Sequence, residues 1–219
     1  MTSSITPAAA FAALMEGNAR FVAGRSDHPR QDSRRRTEVA GGQDPFAVVF
    51  GCSDSRVPTE IIFDQGFGDL FVVRNAGHVV ETGAIGSIEF GVDLLQTAVV
   101  VVLGHQNCGA VGAAREALAT GSLPNNFVRE IVNEVVPSLV TGTAKGPGDE
   151  NSPLDLQLAP KADLVAAHVK ATVHTLHTYS ATVAEAVTAG QCAIVGMEYS
   201  LQDGSTRVVE VIGDIGAQR

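Results

Sequence analysis

Cys52, His105 and Cys108 offer two thiols and one imidazole, a donor set that suits zinc. Three protein donors leave a fourth position open for water, which separates a catalytic metal site from a structural one closed by four. His105 and Cys108 share a His-x-x-Cys spacing in GHQNCG (104–109), where a strand end meets a first helical turn and both donors can face one way. A cysteine opening a helix also has a depressed pKa, which favours the thiolate that a metal needs. The competing chemistry is a free-thiol nucleophile with His105 as its base, which leaves the second cysteine without a role. A cysteine after a strand also serves as plain core. Asp54 and Arg56 lie beside Cys52 in CSDSR. They either stabilise a turn as an ion pair, or they set a carboxylate near a metal. There it ligates the ion or is held off it by the arginine fork.

Short aliphatic runs ending in glycine or polar residues have to position these groups. Strands are predicted at Phe46–Gly51, Leu70–Arg74, Ala98–Leu103, Ala193–Tyr199 and Arg207–Ile212. The first and third are apolar on both faces, as strands inside a covered parallel sheet are. Helix-length stretches lie at Pro7–Val22, Gly83–Gln96, Gly109–Ala119, Asn126–Val140 and Lys161–Ala189. Thr6 and Pro7 supply a cap and a first turn for the N-terminal helix. In the longest stretch Val165, Val169, Val173, Leu176, Val183 and Val187 draw one apolar stripe, and Gly190 ends it. The alternation implies an α/β fold: a mostly parallel sheet of about four strands plus a C-terminal antiparallel strand, with helices on both faces. Asp203-Gly204 marks the turn of that last hairpin. Thr141–Pro160, rich in Gly and Pro, is expected to be a mobile loop inside the domain, since neither side alone completes a sheet. In an open α/β sheet ligands bind beyond the carboxyl ends of the strands, so the Cys52 and His105–Cys108 segments point into one crevice if their strands are neighbours.

Composition limits the partners. At 219 residues the chain fits a single domain, 1–219, and its 45% hydrophobic content excludes disorder for the bulk of it. A formal net charge of −9 gives no electrostatic reason to expect nucleic acid, and Arg34-Arg35-Arg36 reads as a solvated helix start. No run approaches the roughly 18–20 apolar residues of a membrane span. The N-terminus shows no signal peptide, from which a cytoplasmic location is expected. Three cysteines make an odd count that argues against a disulfide framework. Cys192 reads as core, His78 as turn packing, and His168, His174 and His177 as surface histidines, of which only the last two share a face.

CSDSRVP (52–58) together with GHQNCGAV (104–111) resembles the signature of the β-class carbonic anhydrases. EGNARFVAG (16–24), FVVRNAG (71–77), SIEF (87–90) and AIVGMEYSLQDG (193–204) extend the resemblance over nearly the whole chain. It implies one Zn2+ per subunit on Cys52, His105 and Cys108, with water or hydroxide as the fourth donor. Asp54 would accept a hydrogen bond from that hydroxide while Arg56 orients the carboxylate. In a closed state of the family this aspartate binds the zinc itself. The family's plant-like variant carries a glutamine nine residues before the first zinc cysteine, here Gln43, which hydrogen-bonds substrate across a subunit interface. The other variant has a tryptophan where this chain has Val49, and the chain contains no tryptophan. Phe71, Ala76, Phe90 and Gly109 match positions that shape the apolar substrate slot. Phe90 stands where plant members carry tyrosine, so the hydrogen bond of that hydroxyl is missing.

The implied reaction is the reversible hydration of CO2 to bicarbonate and a proton. A dry, aromatic slot suits a small uncharged substrate, and a metal that lowers the pKa of water supplies the nucleophile near neutral pH. Activity is expected to rise toward alkaline pH; no residue identifies itself as proton shuttle. The resemblance further implies a homodimer or a dimer of dimers, with the helical arm 7–24 packing on a partner. Two other readings share the scaffold: a hydrolase of carbon disulfide or carbonyl sulfide, and a non-catalytic zinc protein. The second gives Asp54, Arg56 and Gln43 nothing to do.

Overall fold

The computed structural model describes residues 5–141 and 157–216. In chain order its strands are β1 (Ala47–Cys52), β2 (Leu70–Asn75), β3 (Val99–His105), β4 (Val140–Thr141), β5 (Gln157–Leu158), β6 (Ala193–Tyr199) and β7 (Thr206–Ile212). Five of them form one sheet in the order β2-β1-β3-β6-β7. The first four of that order run parallel, and β7 returns antiparallel to β6. This is the α/β sheet that the apolar runs imply. β1, β3 and β6 are buried throughout, as strands covered on both faces must be. β2 is an edge strand and stays half-buried.

The helices are α1 (Pro7–Val22), α2 (Ser33–Glu38), α3 (Thr59–Ile62), α4 (Thr82–Glu89), α5 (Gly109–Thr120), α6 (Val128–Leu139), α7 (Leu164–Tyr179) and α8 (Ala181–Thr188). Alternation along the strands divides the core in two. Val48, Phe50, Val100 and Val102 face α4 to α8, whereas Ala47, Val49, Val99 and Val101 face α1 and α3. α1 begins where Thr6 and Pro7 place it, with the Thr6 hydroxyl accepting the Ala9 N–H at 3.2 Å. Ala10, Phe11 and Leu14 of this helix are buried against its own chain. Asn18 ties it down further: its side-chain amide donates to the carbonyls of Ile62 and Gly204, and its Oδ1 accepts the Thr206 N–H.

Three expectations need correction. The stretch Lys161–Ala189 is two helices, because Ser180 adopts an extended backbone (φ −101°, ψ 104°). Its hydroxyl accepts the Val183 N–H to cap α8 and donates to Glu89 Oε1. Gly83–Gln96 is also shorter as an α-helix, ending at Glu89 and widening into a π turn over Phe90–Leu94. His168 is not at the surface but 3% exposed, beneath α6. Most of the predicted Thr141–Pro160 loop lies outside the described residues; its ends pair as β4 and β5.

α7 packs on the sheet at two glycines. A Cβ on Gly104 would lie 2.5 Å from Val169 Cγ2, and one on Gly196 would lie 2.8 Å from Val169 Cγ1. The helix therefore rests on bare backbone of β3 and β6 and comes closer to the strand ends than larger residues allow.

Candidate metal centre

β1 and β3 are adjacent and parallel, so their carboxyl ends open on the same edge of the sheet. Cys52 is the last residue of β1, His105 is the last of β3, and Cys108 caps the N-terminus of α5. Their ligand atoms lie within 4.8 Å of one another, and all three residues are buried. The sequence places these donors on separate segments; the sheet brings them together.

The donor chemistry fits a metal. His105 Nδ1 lies 2.9 Å from the Gln106 carbonyl oxygen. A carbonyl only accepts, so Nδ1 carries the hydrogen and Nε2 keeps its lone pair. That Nε2 is fully buried and has no hydrogen-bond partner among the described residues. A buried imidazole nitrogen without a partner costs roughly 1–3 kcal/mol, and a cation on Nε2 removes that cost. The Nδ1 contact is the outer hydrogen bond that fixes the tautomer of a ligating histidine.

The thiols are tuned in opposite directions. A hydrogen bond from Cys108 leads the effects that pull the Cys52 thiol down to about 4, against the opposing pull of burial. His105 and the N–H groups of Gly77 and Asp54 add to it. The Gly77 N–H reaches Cys52 Sγ at 3.3 Å. Cys108 is pushed up, first by the bond to the Cys52 sulfur and then by burial. A metal binds both sulfurs as thiolates, so a divalent cation arriving here displaces whatever thiol proton remains.

Asp54 and Arg56 form the fork that the spacing suggests. Arg56 Nε donates to Asp54 Oδ1 at 2.9 Å and Nη2 to Oδ2 at 2.7 Å, while the Arg56 backbone N–H adds a third bond to Oδ1. These bonds hold the Asp54 carboxyl well below the usual carboxylate range. Asp54 Oδ2 sits 3.9 Å from His105 Nε2, beside the donor cluster and turned toward the arginine.

One group had no role in the sequence reading. Arg74 donates from Nε and Nη2 to the Cys52 carbonyl at 2.9 and 2.8 Å, and from Nη2 to the Asp54 carbonyl at 2.7 Å. It fastens the backbone on either side of Ser53. The signal was the pairing of β2 with β1, which sets Arg74 beside Gly51 and Asn75 beside Cys52.

The pocket residues divide into two places. Ala76 and Gly109 border an apolar cleft of about 350 Å³ next to the donors, with Ala110, Ala113, Ile131 and Val132 as further walls. Phe71 and Phe90 stack on each other at 5.8 Å, away from it. Phe71 pairs with Val48, four residues before Cys52, so about 13 Å of strand separates it from its own donor cluster. Gln43 lies in an exposed segment before β1. One protomer therefore does not gather Gln43, Phe71 and Phe90 around its own site.

The carbonic anhydrase family pattern matches residues 47–206. Carbonic anhydrase 2 of Mycobacterium tuberculosis is 46% identical over 212 residues, covering 97% of each chain. The carbonic anhydrase of Mycolicibacterium smegmatis is 47% identical over 210 residues, covering 96% of this chain and 97% of its own. Among solved structures, the β-carbonic anhydrase of Coccomyxa superposes with a TM-score of 0.65 at 25% identity, covering 91% of this chain and 87% of that one. No helix among the described residues is long and apolar enough to cross a membrane. By sequence, fold and donor cluster alike, the chain belongs to the carbonic anhydrase family, in its β class, and hydration of CO2 is the reaction expected of it.

Proposed function

We propose that this chain hydrates CO2 to bicarbonate and a proton at a zinc ion held by Cys52, His105 and Cys108. The observation that carries the reading is the buried His105 Nε2, unpartnered among the described residues and 3.9 Å from a carboxylate, on a histidine whose ligand atom lies within 4.8 Å of two cysteine sulfurs. Bound zinc supplies Lewis acidity, lowering the pKa of water so that hydroxide is available to attack carbon near neutral pH. The chain's own residues do the rest. Asp54, ionised throughout the working range, accepts a hydrogen bond from the reacting water and aims its lone pair at carbon. Arg56 holds that carboxylate by its fork and keeps it off the donor cluster. The apolar walls around Ala76 and Gly109 suit an uncharged substrate.

The chain acts as a homodimer or a dimer of dimers. The supporting observation is the separation of Phe71 and Phe90 from their own donors, together with the half-exposed edge strand β2 that carries Phe71. In this assembly Gln43, Phe71 and Phe90 complete the partner's pocket, Gln43 donating from its amide to substrate oxygen. The helical arm 7–24 packs on that partner with the face it does not bury at home, and residues 1–219 form one domain working in the cytoplasm.

Arg56→Ala tests the catalytic reading. Hydration is expected to fall by about 10²-fold or more while zinc content stays stoichiometric. Unchanged turnover would remove the Asp54–Arg56 pair from the mechanism. Hydrolysis of carbonyl sulfide faster than hydration of CO2 by the unaltered chain would transfer the site to the other substrate class.

A further inference from the structure

Behind the donor cluster lies a hydrogen-bonded chain that the proposed reaction does not use. His168 Nε2 lies 2.8 Å from the Gly77 carbonyl oxygen, and its Nδ1 lies 2.7 Å from Ser138 Oγ. The carbonyl only accepts, so Nε2 carries the hydrogen and Nδ1 accepts from the serine hydroxyl. That hydroxyl also lies 2.5 Å from the Val135 carbonyl, so its one hydrogen is shared between two acceptors. Burial keeps the ring neutral, which this arrangement requires. Gly77 in turn donates its N–H to Cys52 Sγ. Helices α6 and α7 thus reach a metal-ligating sulfur through a single glycine.

The glycine needs an anchor. Gly77 has φ +71° and ψ 14°, and a Cβ there would lie 2.6 Å from Ala110 Cβ. His78, next in the chain, also has positive φ, at +42°. Two successive left-handed residues, one bearing a side chain, persist only where surrounding contacts over-determine them. The His78 ring adds no hydrogen bond among the described residues: both its nitrogens are buried without partners there, and the ring lies tilted against that of His168 with centroids 4.4 Å apart. The Asn75 side chain brackets this turn, accepting the Val79 N–H and donating to the Val79 carbonyl, but the polar hold on Gly77 itself comes from His168 to its carbonyl and from its N–H to the sulfur. The approach of α7 over Gly104 and Gly196 brings His168 within reach.

We propose that His168, steadied by Ser138, is a positioning residue for the metal centre, holding the Gly77 carbonyl so that the Gly77 N–H stays on Cys52 Sγ. The inference rests on the reading of Cys52, His105 and Cys108 as zinc ligands and adds an outer contact to one of them. Partners of this kind typically govern 10–100-fold of metal affinity.

The test measures zinc affinity by chelator competition and the thiolate-to-metal charge-transfer bands of the cobalt-substituted protein. His168→Leu removes the donor to Gly77 and is expected to bind zinc about 10–100-fold more weakly, with altered cobalt bands. His168→Gln can place an amide N–H near the position of Nε2 and is expected to restore both toward wild type. A folded His168→Leu protein with wild-type zinc affinity and cobalt bands overturns the inference. Should His168→Leu not fold, His168→Gln is compared with His168→Asn, whose shorter amide cannot reach Gly77. Weaker zinc binding by the Asn variant supports the proposal, and equal binding refutes it. Wild-type protein that takes up no zinc removes the proposed function and this inference with it. Normal wild-type uptake with an unchanged His168→Leu removes this inference alone.

Discussion

His78 gives the structure a dependence on acid that can be worked out in advance. Its ring is fully buried with neither nitrogen hydrogen-bonded among the described residues, and burial, with His168 and His105 adding to it, holds its pKa well below the ordinary 6.5. The unfolded chain takes up a proton near pH 6.5 while the folded chain does not, so stability is greatest above that pH and falls as the pH drops. For a ring that stays neutral in the folded state, lowering the pH from about 7 to about 5 removes about 1.9 kcal/mol. His78→Asn isolates this contribution, since asparagine tolerates the left-handed backbone and does not titrate. Urea unfolding of both proteins at both pH values is the assay. The fall in stability between them is expected to be about 1.9 kcal/mol larger for wild type, and acid effects on the metal ligands cancel in that difference. A difference under about 0.5 kcal/mol would mean that the buried ring accepts a proton, and the reasoning from burial would be wrong.

Other substitutions probe the site and its frame. Gly77→Ala forces a Cβ onto Ala110 in a left-handed conformation and is expected to cost about 2–4 kcal/mol in thermal or urea unfolding. Arg74→Met leaves the Cys52 carbonyl without its arginine donor and is expected to destabilise the fold by about 1–3 kcal/mol, with weaker zinc retention in chelator competition. If Gln43 serves the partner's site, mixing subunits of Gln43→Ala with subunits of Arg56→Ala restores one intact site per hybrid dimer. An equimolar mixture then recovers about a quarter of wild-type turnover, and no recovery would place Gln43 in its own subunit's pocket.

How far the sequence could be read depended on where each signal was local. The N-terminal helix was readable because Thr6 and Pro7 mark its start, and β1 and β3 because unbroken aliphatic runs mark buried parallel strands. The donors were readable through residue type and the short spacing of His105 and Cys108, and their partnership with Cys52 through the resemblance. The break at Ser180 was hidden, since the valine stripe continues across it and the serine's hydroxyl donates to Glu89, ninety-one residues away in the chain. The burial of His168 was hidden because the stripe through Val165, Val169 and Val173 is only part of the buried face of α7. Leu164, His168 and Thr172 form a second buried column at steps of four. Arg74 needed the β1–β2 register, which pairs residues more than twenty positions apart. These three misses each involve a partner distant in sequence.

Hydration by this chain is expected to depend on zinc, with the carboxylate beside the donors already ionised. Asp54 is held well below the carboxylate range and takes no proton near neutrality, so an alkaline rise in rate cannot come from its titration. Stopped-flow hydration of CO2 by protein of assayed metal content, at about pH 7 and about pH 8.5, tests this most directly. One zinc per chain with turnover that grows toward the higher pH is the expected result. Stoichiometric zinc without turnover at either pH would contradict the account.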